Sequence, residues 1–155
     1  MRHGLSRLLR GEVVGLDQSR EMLDIARRRL PSVEFVCAVV PPLPFEDDSF
    51  ELLFTSHFYG HVVSPEERRR FLGEAFRVVR EVVVVEQTWR PGLPDEVWEE
   101  RELRDGSRHR VFKRYFTADR LRAELDGELE LETRSFLAVR ASRASERERA
   151  RAPSP

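Results

Sequence analysis

The sequence predicts an α/β fold in which a doubly wound, mostly parallel sheet is closed by an antiparallel pair of strands. Short apolar runs alternate along most of the chain with helix-like segments of mixed polarity, which is the rhythm of a parallel sheet covered by helices. Near the C-terminus, Leu129–Thr133 and Phe136–Arg140 instead alternate apolar and polar residues. That pattern is typical of an antiparallel pair.

Composition limits the classes of protein and partner. The 155 residues suit one domain with a single core, and 40% apolar with 35% charged residues is typical of a globular chain. The formal net charge of -1 gives no indication of a nucleic-acid or anionic membrane partner, so we expect a small-molecule partner. No apolar run approaches the roughly 20 residues of a membrane span. Cys37 is the sole cysteine, which excludes an internal disulfide, and its strand-like context predicts burial.

The two ends of the chain differ from its middle. An apolar stripe predicts a helix over residues 2–10 that ends at Gly11. The basic start lacks the apolar stretch of a signal peptide, so we expect a cytoplasmic protein. Residues 143–155 carry no apolar stripe and predict a disordered tail after a domain over 1–142. Nothing in the sequence indicates the oligomeric state.

The first strand and helix carry a candidate ligand-binding acid. Val13–Leu16 forms a continuous apolar run typical of a buried parallel strand, and Ser19 is a suitable N-cap for a helix over Ser19–Leu30. Asp17 between them lies at the carboxyl edge of the sheet, where ligands of doubly wound folds bind. Its carboxylate either accepts hydrogen bonds from the two hydroxyls of a nucleotide ribose or caps the turn. The predicted inward face of the helix is Met22, Leu23, Ile25, Ala26 and Leu30.

The remaining elements follow from apolar runs and helix caps. Further strands are predicted at Val33–Val40, Phe50–Thr55 and Val82–Val85. Ser64, Pro65 and Glu67 form a capping box with proline at the first helical position, and this helix runs to about Arg80. Thr117 caps another helix through about Leu125. The polar segment Glu96–Leu103 predicts a helix that acts as a lid.

Three segments together resemble a known family. They are VVGLDQSREMLDIARRRLPSVEFV, then LPFEDDSFELLFTSHFYGHV, then the helix leading into EVVVVEQ. In order and spacing, over roughly residues 2–142, they resemble the class I S-adenosylmethionine-dependent methyltransferases of the small-molecule type, and Leu43–Phe50 is the most specific block. The resemblance implies a Rossmann-like fold, S-adenosyl-L-methionine as cofactor and methyl transfer to a small-molecule acceptor that the sequence does not identify.

The resemblance also implies roles for residues at the cofactor end. Asp17 would hold the ribose hydroxyls, and Gln18 and Met22 would lie beside the adenosine. Val39 falls where the family usually has an acid that accepts from the adenine amino group. Ser56 matches a position that borders the methionine end of the cofactor.

The aromatic loop after Phe50–Thr55 holds the candidate catalytic residues. His57 and His61 are candidate general bases, because imidazole titrates near neutral pH and methyl transfer sometimes requires removal of a proton. The resemblance places His57 at the acceptor, and Tyr59 is expected to shape the acceptor pocket. The alternative is that His57 and Tyr59 only pack or form hydrogen bonds beneath a flap.

Two other kinds of site receive less weight. His57 and His61 lack the cysteine or third histidine that would complete a metal site, so no metal is predicted. The basic segment around His109 contains interleaved aromatic residues, which is one sign of a nucleic-acid partner. An amphipathic strand with solvent-facing basic residues is the favoured interpretation, and no nucleic-acid partner is predicted.

One expected family motif is absent. The glycine-rich turn after the first strand of the family has no counterpart among the eight glycines of this chain. We therefore expect an N-terminally truncated domain without its central first strand, in which Glu12–Asp17 and Phe50–Thr55 either pair directly or leave a gap. The main hypothesis is a methyltransferase, and the alternative is a non-catalytic methyltransferase-like fragment that does not bind cofactor by itself. A dehydrogenase of the same nucleotide-binding class fits the motifs less well.

Overall fold

The computed structural model describes residues 11–102 and 106–143, and the helix predicted at 2–10 and most of the predicted tail lie outside these ranges. The described elements alternate between strands and helices in the first part of the chain and end in antiparallel strands. In chain order they are β1 Val14–Asp17, α1 Arg20–Arg29, β2 Glu34–Cys37, β3 Phe50–Ser56, a 3-10 turn Tyr59–His61, α2 Pro65–Val78, β4 Val79–Gln87, β5 Glu96–Glu102, β6 Arg108–Arg114, α3 Ala118–Leu125, β7 Glu128–Glu132 and β8 Phe136–Ser142.

The chain divides into two compact units, and the first covers residues 1–44. Its described part is a β-α-β unit in which β1 and β2 pair in parallel, from Val14 opposite Glu34 to Asp17 opposite Cys37. α1 begins after Ser19 and ends before Leu30, as predicted, and buries Leu23.

Three burial predictions in this unit are wrong. Met22 and Ile25 are exposed, because α1 turns only one narrow stripe inward. Cys37 is exposed because β2 ends there, and its thiol donates to the backbone oxygen of Gln18 at 3.6 Å. The predicted strand Val33–Val40 is shortened to Glu34–Cys37.

The second unit covers residues 45–155 and contains a four-stranded sheet in the order β3-β4-β8-β7. β3 and β4 are parallel, β8 is antiparallel to β4, and β7 is antiparallel to β8. The predicted closing antiparallel pair is therefore confirmed. The side chains that form the core of this unit are fully buried, and they include Val82, Val84, Phe116, Leu121, Leu137 and Val139.

Strands β1 and β3 belong to different sheets. Within the described residues β1 pairs with β2, and β3 pairs with β4, so the direct pairing of β1 with β3 that the sequence left open is not observed. The predicted truncation stays a prediction.

The helix predicted over Glu96–Leu103 is wrong, because residues 96–102 form strand β5, which pairs antiparallel with β6. The charges that suggested a solvent-facing helix instead pair across the ribbon: Lys113 contacts Glu99 at 2.7 Å, and Arg108 contacts Glu102 at 3.5 Å. Trp98 packs on Phe112 of the partner strand with ring centroids 5.4 Å apart. Cross-strand pairs of this kind stabilise a ribbon.

The helix starts in the second unit are encoded locally. At α2 the Ser64 hydroxyl accepts from the Glu67 backbone N–H at 3.0 Å, and the Glu67 carboxylate accepts from the Ser64 N–H at 3.3 Å. This reciprocal pair confirms the predicted capping box. Thr117 caps α3 through the backbone N–H of Arg120, also as predicted.

Two glycine substitutions test the packing of the second unit, one at the α3–β7 connection and one in α2. A Cβ at Gly127 would overlap the backbone oxygen of Arg140, which a rigid strand cannot move aside. We expect Gly127→Ala to lower the free energy of unfolding by about 2 kcal/mol. Gly73 lies in α2 with open space around a Cβ, so Gly73→Ala should raise it by about 0.5 to 1 kcal/mol. Urea unfolding measures both, and a stable Gly127→Ala variant would contradict this packing.

Candidate functional site

Asp17 ends β1 and starts the turn into α1. Its Oδ1 atom accepts from the backbone N–H of Ser19 at 2.8 Å, and the Ser19 hydroxyl accepts from the N–H of Met22 at 3.3 Å. The capping role is therefore observed. Oδ2 has no hydrogen-bond partner in the part of the chain that the structure describes. One carboxylate oxygen holds the turn, and the other is available to a ligand.

Exposed side chains of the other predicted cofactor residues surround this carboxyl end of the β1–β2 pair. Met22, in the first turn of α1, is 55% exposed, and Val39, two residues beyond β2, is 69% exposed. The side chain of Gln18 is also exposed. Two apolar side chains and a carboxylate thus lie at the ends of two adjacent parallel strands, a combination that suits a ligand with an apolar ring and hydroxyl groups.

In the second unit, β3 ends at Ser56, which is exposed and lies opposite Val85 of β4. His57 then leaves the strand with a left-handed backbone (φ +58), and its N–H donates to the Val85 oxygen at 3.0 Å. Non-glycine residues adopt this conformation only where the surroundings hold them in it. The backbone that leaves β3 at His57 is therefore held in one conformation by its hydrogen bond to β4.

The imidazole of His57 is exposed on one side and covered by Phe136 on the other, with ring centroids 5.2 Å apart. Partial burial, with smaller contributions from His61 and Lys113, lowers the pKa of His57 below its usual value. The imidazole is therefore neutral at neutral pH and able to accept a proton.

Tyr59 is a packing residue in this structure. It is 1% exposed and lies between Phe71 and Phe116, and its hydroxyl donates to Glu124 Oε2 at 3.2 Å. Burial, followed by the negative charge of Glu124, raises the pKa of Tyr59, so the phenol stays protonated. This geometry supports the packing interpretation that the sequence left open for Tyr59.

The hydrogen bond of the His61 ring is made with strand β6 and not with His57. Its Nδ1 lies 2.5 Å from the backbone oxygen of Phe112, and because a carbonyl only accepts, Nδ1 carries the proton. Nε2 is then the basic nitrogen. Among the described residues no three His, Cys, Asp or Glu side chains come together as a metal site.

Glu86 is the residue that the sequence interpretation missed. It is 3% exposed, and its Oε1 atom accepts from the backbone N–H of Gly60 at 2.9 Å. Burial raises the pKa of Glu86 to about 7, although backbone N–H groups of Gly60, Tyr59, Gln87 and Phe58 act in the opposite direction. Consecutive N–H groups around one anion form a small anion-binding nest. A buried carboxyl group with a pKa near neutrality thus holds the loop that carries both histidines.

The burial of Glu86 could have been predicted from the alternation of side chains along β4. Val82, Val84 and Glu86 alternate along the strand and share one face, and both valines are fully buried. Glu86 is the third residue on this face, so its side chain should be buried as well. Acidic side chains are almost never fully buried unless they are paired, so a buried one indicates a specific role.

A second buried polar cluster holds the far side of the same loop. Arg114 contacts both oxygens of Glu124, at 2.5 and 3.0 Å, while Arg68 lies 3.7 Å from Glu124. Arg68 also donates to the backbone oxygens of Val62 and Val63, at 2.8 and 3.1 Å. Strand β6 and helices α2 and α3 are thereby joined to the exit of the loop.

A family model described as a methyltransferase domain matches residues 2–81, which is more than half of the chain. The chain belongs to this family. The resemblance inferred from its three segments is therefore confirmed. No described helix of this methyltransferase domain is both long and apolar enough to cross a membrane.

Curated relatives of the methyltransferase domain match over a part of their length. The chain is 44% identical over 71 residues to a demethylmenaquinone methyltransferase of Clavibacter sepedonicus, covering 44% of this chain and 28% of that protein. It is 37% identical over 81 residues to the ubiquinone/menaquinone biosynthesis C-methyltransferase UbiE of Campylobacter jejuni, covering 50% and 33%. An uncharacterised 37.1 kDa protein in transposon TN4556 of Streptomyces fradiae is 39% identical over 85 residues, covering 51% and 24%. The chain thus spans a third or less of these relatives.

Solved structures confirm the predicted α/β fold class. The complex of DhpI with SAM and HEP superposes with a TM-score of 0.69 at 22% identity, covering 83% of this chain and 67% of that one. A SAM-dependent methyltransferase from Methanosarcina mazei gives a TM-score of 0.65 at 21% identity, covering 84% and 82%. At these identities the likeness shows the fold alone.

The buried carboxyl group of Glu86 predicts a specific pH dependence of stability. Its pKa is raised from 4.5 to about 7, so the folded state holds a proton that the unfolded state releases between these values. The contribution is fully present below about pH 4.5 and is lost as the pH rises through about 7, a change of about 3 kcal/mol. We expect the free energy of unfolding of Glu86→Gln, relative to the wild type, to rise by this amount over the same pH range.

Denaturant unfolding at several pH values measures this difference. Glu51→Gln is the matched control, because Glu51 is exposed on the neighbouring strand β3 and has no ion pair with the described residues, so the same chemical change is made without removing a buried carboxyl group. Parallel pH profiles for wild type and Glu86→Gln would show that Glu86 is not protonated in the folded protein.

Proposed function

We propose that this methyltransferase domain binds S-adenosyl-L-methionine and transfers its methyl group to a small-molecule acceptor. The observation that carries the proposal is the Asp17 carboxylate with a free Oδ2 at the carboxyl end of two parallel strands, bordered by exposed apolar residues. Membership of the family supports it. So do the curated relatives that are named as methyltransferases.

In this proposal Asp17 accepts hydrogen bonds from both ribose hydroxyls, as an acid at this position does in doubly wound folds. Met22 and Val39 cover the two faces of the adenine ring, and the exposed side chain of Gln18 borders the adenosine. Because Val39 stands where an acid would accept from the adenine amino group, adenine is held here by apolar contact.

The resemblance assigns the acceptor to the loop after β3. S-adenosyl-L-methionine, when bound, would supply an electrophilic methyl group to the acceptor nucleophile, with its sulfur keeping the electron pair of the broken carbon–sulfur bond in S-adenosylhomocysteine. Ser56 borders the methionine end. His57, kept neutral by its surroundings, takes the proton that an acceptor hydroxyl, thiol or carbon acid releases, and His61 is the alternative base through Nε2.

Tyr59 contributes indirectly in this proposal. Its buried ring and its bond to Glu124 fix the loop, and the loop shapes the wall of the acceptor pocket. Most of the catalytic advantage would come from positioning the acceptor in line with the methyl group.

The second candidate function is a non-catalytic methyltransferase-like domain that does not bind cofactor by itself. It is favoured by the absence of a glycine cluster in the sequence and by the half-exposed strand β1, which pairs with β2 in a two-stranded sheet. The two candidate functions make opposite predictions for a titration with S-adenosylhomocysteine.

Calorimetric titration with S-adenosylhomocysteine tests the proposal. We expect micromolar binding, which corresponds to about −8 kcal/mol. Asp17→Asn keeps one oxygen to cap the turn but loses the charge and the second acceptor, so it should weaken binding about tenfold or more without lowering stability. Asp24→Asn is the matched control, because Asp24 is exposed on α1 and its one ion pair with the described residues is to Arg27. This substitution should leave the affinity unchanged.

Two results would contradict the proposal, the first its activity and the second the place of the cofactor. If the wild-type chain binds no S-adenosylhomocysteine, the non-catalytic candidate stands. If the chain binds it but Asp17→Asn and Asp24→Asn bind equally well, the cofactor occupies a different place from the one proposed.

A further inference from the structure

A cavity of about 450 Å³ lies beyond the carboxyl end of β4 and is not used by the site described so far. Two turns form it, and its lining residues are Arg90, Pro91, Gly92, Leu93 and Arg134. Two of these five residues carry positive charge, and none carries negative charge. The cavity therefore has an unbalanced positive lining.

The first turn is rigid. The N–H of Leu93 donates to the Arg90 oxygen at 3.0 Å, and Gly92 has a φ of +92 after Pro91, which is the arrangement of a type II turn. The indole N–H of Trp89 donates to the Leu93 oxygen at 3.1 Å and closes the turn from the other side. Arg90 therefore projects from a backbone with little freedom.

The second turn, between β7 and β8, is fixed by hydroxyl groups. The Thr133 hydroxyl accepts from the N–H groups of Ser135 and Phe136, at 3.3 and 3.0 Å. Thr88, just beyond β4, donates its hydroxyl to the Thr133 oxygen at 3.2 Å and its N–H to the Ser135 oxygen at 3.1 Å. The backbone of Arg134, at the tip, is thus tied to Thr88, which precedes Arg90 by two residues.

Neither arginine has an acidic partner among residues 11–102 and 106–143. Elsewhere in this unit the guanidinium groups of Arg77, Arg114 and Arg140 lie 2.5 to 2.9 Å from carboxylates. In a chain with 28 acidic residues and a net charge of -1, two unpaired arginines in one cavity are available to an external anion. Guanidinium groups match planar and tetrahedral oxyanions through paired N–H donors.

The second turn of the cavity leads into the residue that packs on His57. Phe136, which follows Arg134 by two residues, covers the ring of His57 at 5.2 Å, and β4 holds the His57 backbone through Val85. An anion bound between the arginines would therefore orient the rest of its molecule along the edge of the sheet where His57 lies.

We propose that this cavity is an oxyanion subsite, and that the acceptor is a small acid whose carboxylate or phosphate group binds to Arg90 and Arg134. That the bound acid is a methyl acceptor rests on the proposed function. The binding of an anion to Arg90 and Arg134 requires neither cofactor nor methyl transfer. The competing interpretation is two solvated surface arginines beside a shallow depression.

Titration of the full chain with inorganic phosphate tests the subsite, with the Nε–H NMR signals of the arginines as the readout and sodium chloride holding the ionic strength constant. We expect saturable shifts at Arg90 and Arg134 with one common dissociation constant, on the order of 1 mM. Arg134→Gln should weaken the binding seen at Arg90 about fivefold or more, because one of the two charge-assisted contacts is lost.

Arg80→Gln is the matched control, because Arg80 is exposed at the opposite end of β4 and has no ion pair with the described residues; it should leave the phosphate affinity unchanged. A parallel titration with acetate identifies the acid group, since the tighter of the two anions indicates a phosphate or a carboxylate acceptor.

Shifts that grow linearly with phosphate, or that are equal at Arg80 and at the cavity, would mean an adventitious ion only and would overturn the proposal. That failure would leave S-adenosylhomocysteine binding and its dependence on Asp17 untouched, so the two proposals fail separately.

Discussion

The candidate active loop depends on a hydrogen bond between the buried carboxyl group of Glu86 and the backbone N–H of Gly60. The loop turns sharply after β3, and its consecutive N–H groups would lack partners in the interior without an acceptor from β4. Gly60 has no room for a side chain, since a Cβ would lie 2.8 Å from Glu86 Oε2 and 3.0 Å from the Arg114 oxygen. The close approach of backbone and carboxyl group therefore fixes the loop.

Two carboxyl groups hold this loop, and their charges are compensated in different ways. Glu86 is satisfied by backbone dipoles, which stabilise its anion only in part, and its pKa is near 7 as a result. Glu124 is paired with Arg114 and Arg68, and this ion cluster also binds the Tyr59 hydroxyl. Removal of one partner from such a cluster leaves an uncompensated charge and costs more than the pair contributes. The loop that carries His57 thus depends on two carboxyl groups, Glu86 and Glu124, that lie outside it.

The features that the sequence predicted are those that neighbouring residues determine. The capping box at Ser64, the parallel strands and the closing pair β7–β8 depend on local pattern, and all are observed. The error at Glu96–Glu102 arose because its charges are balanced by β6, whose partners lie 6 to 18 residues away and leave no periodic mark in the segment. Within each unit, the end of the strand that carries the candidate residues, β1 or β3, was predictable from the sequence, whereas the Glu86 contact required knowing that Gly60 approaches β4.

The most direct test of this account is the chemical shift of the Gly60 amide proton, followed by NMR from about pH 3.5 to about pH 8.5. Ionisation of Glu86 should strengthen the hydrogen bond from Gly60 and move this proton downfield with a midpoint near pH 7. A midpoint near the usual 4.5 of a glutamate, or no change at all, would contradict a buried carboxyl group with a raised pKa beneath the loop.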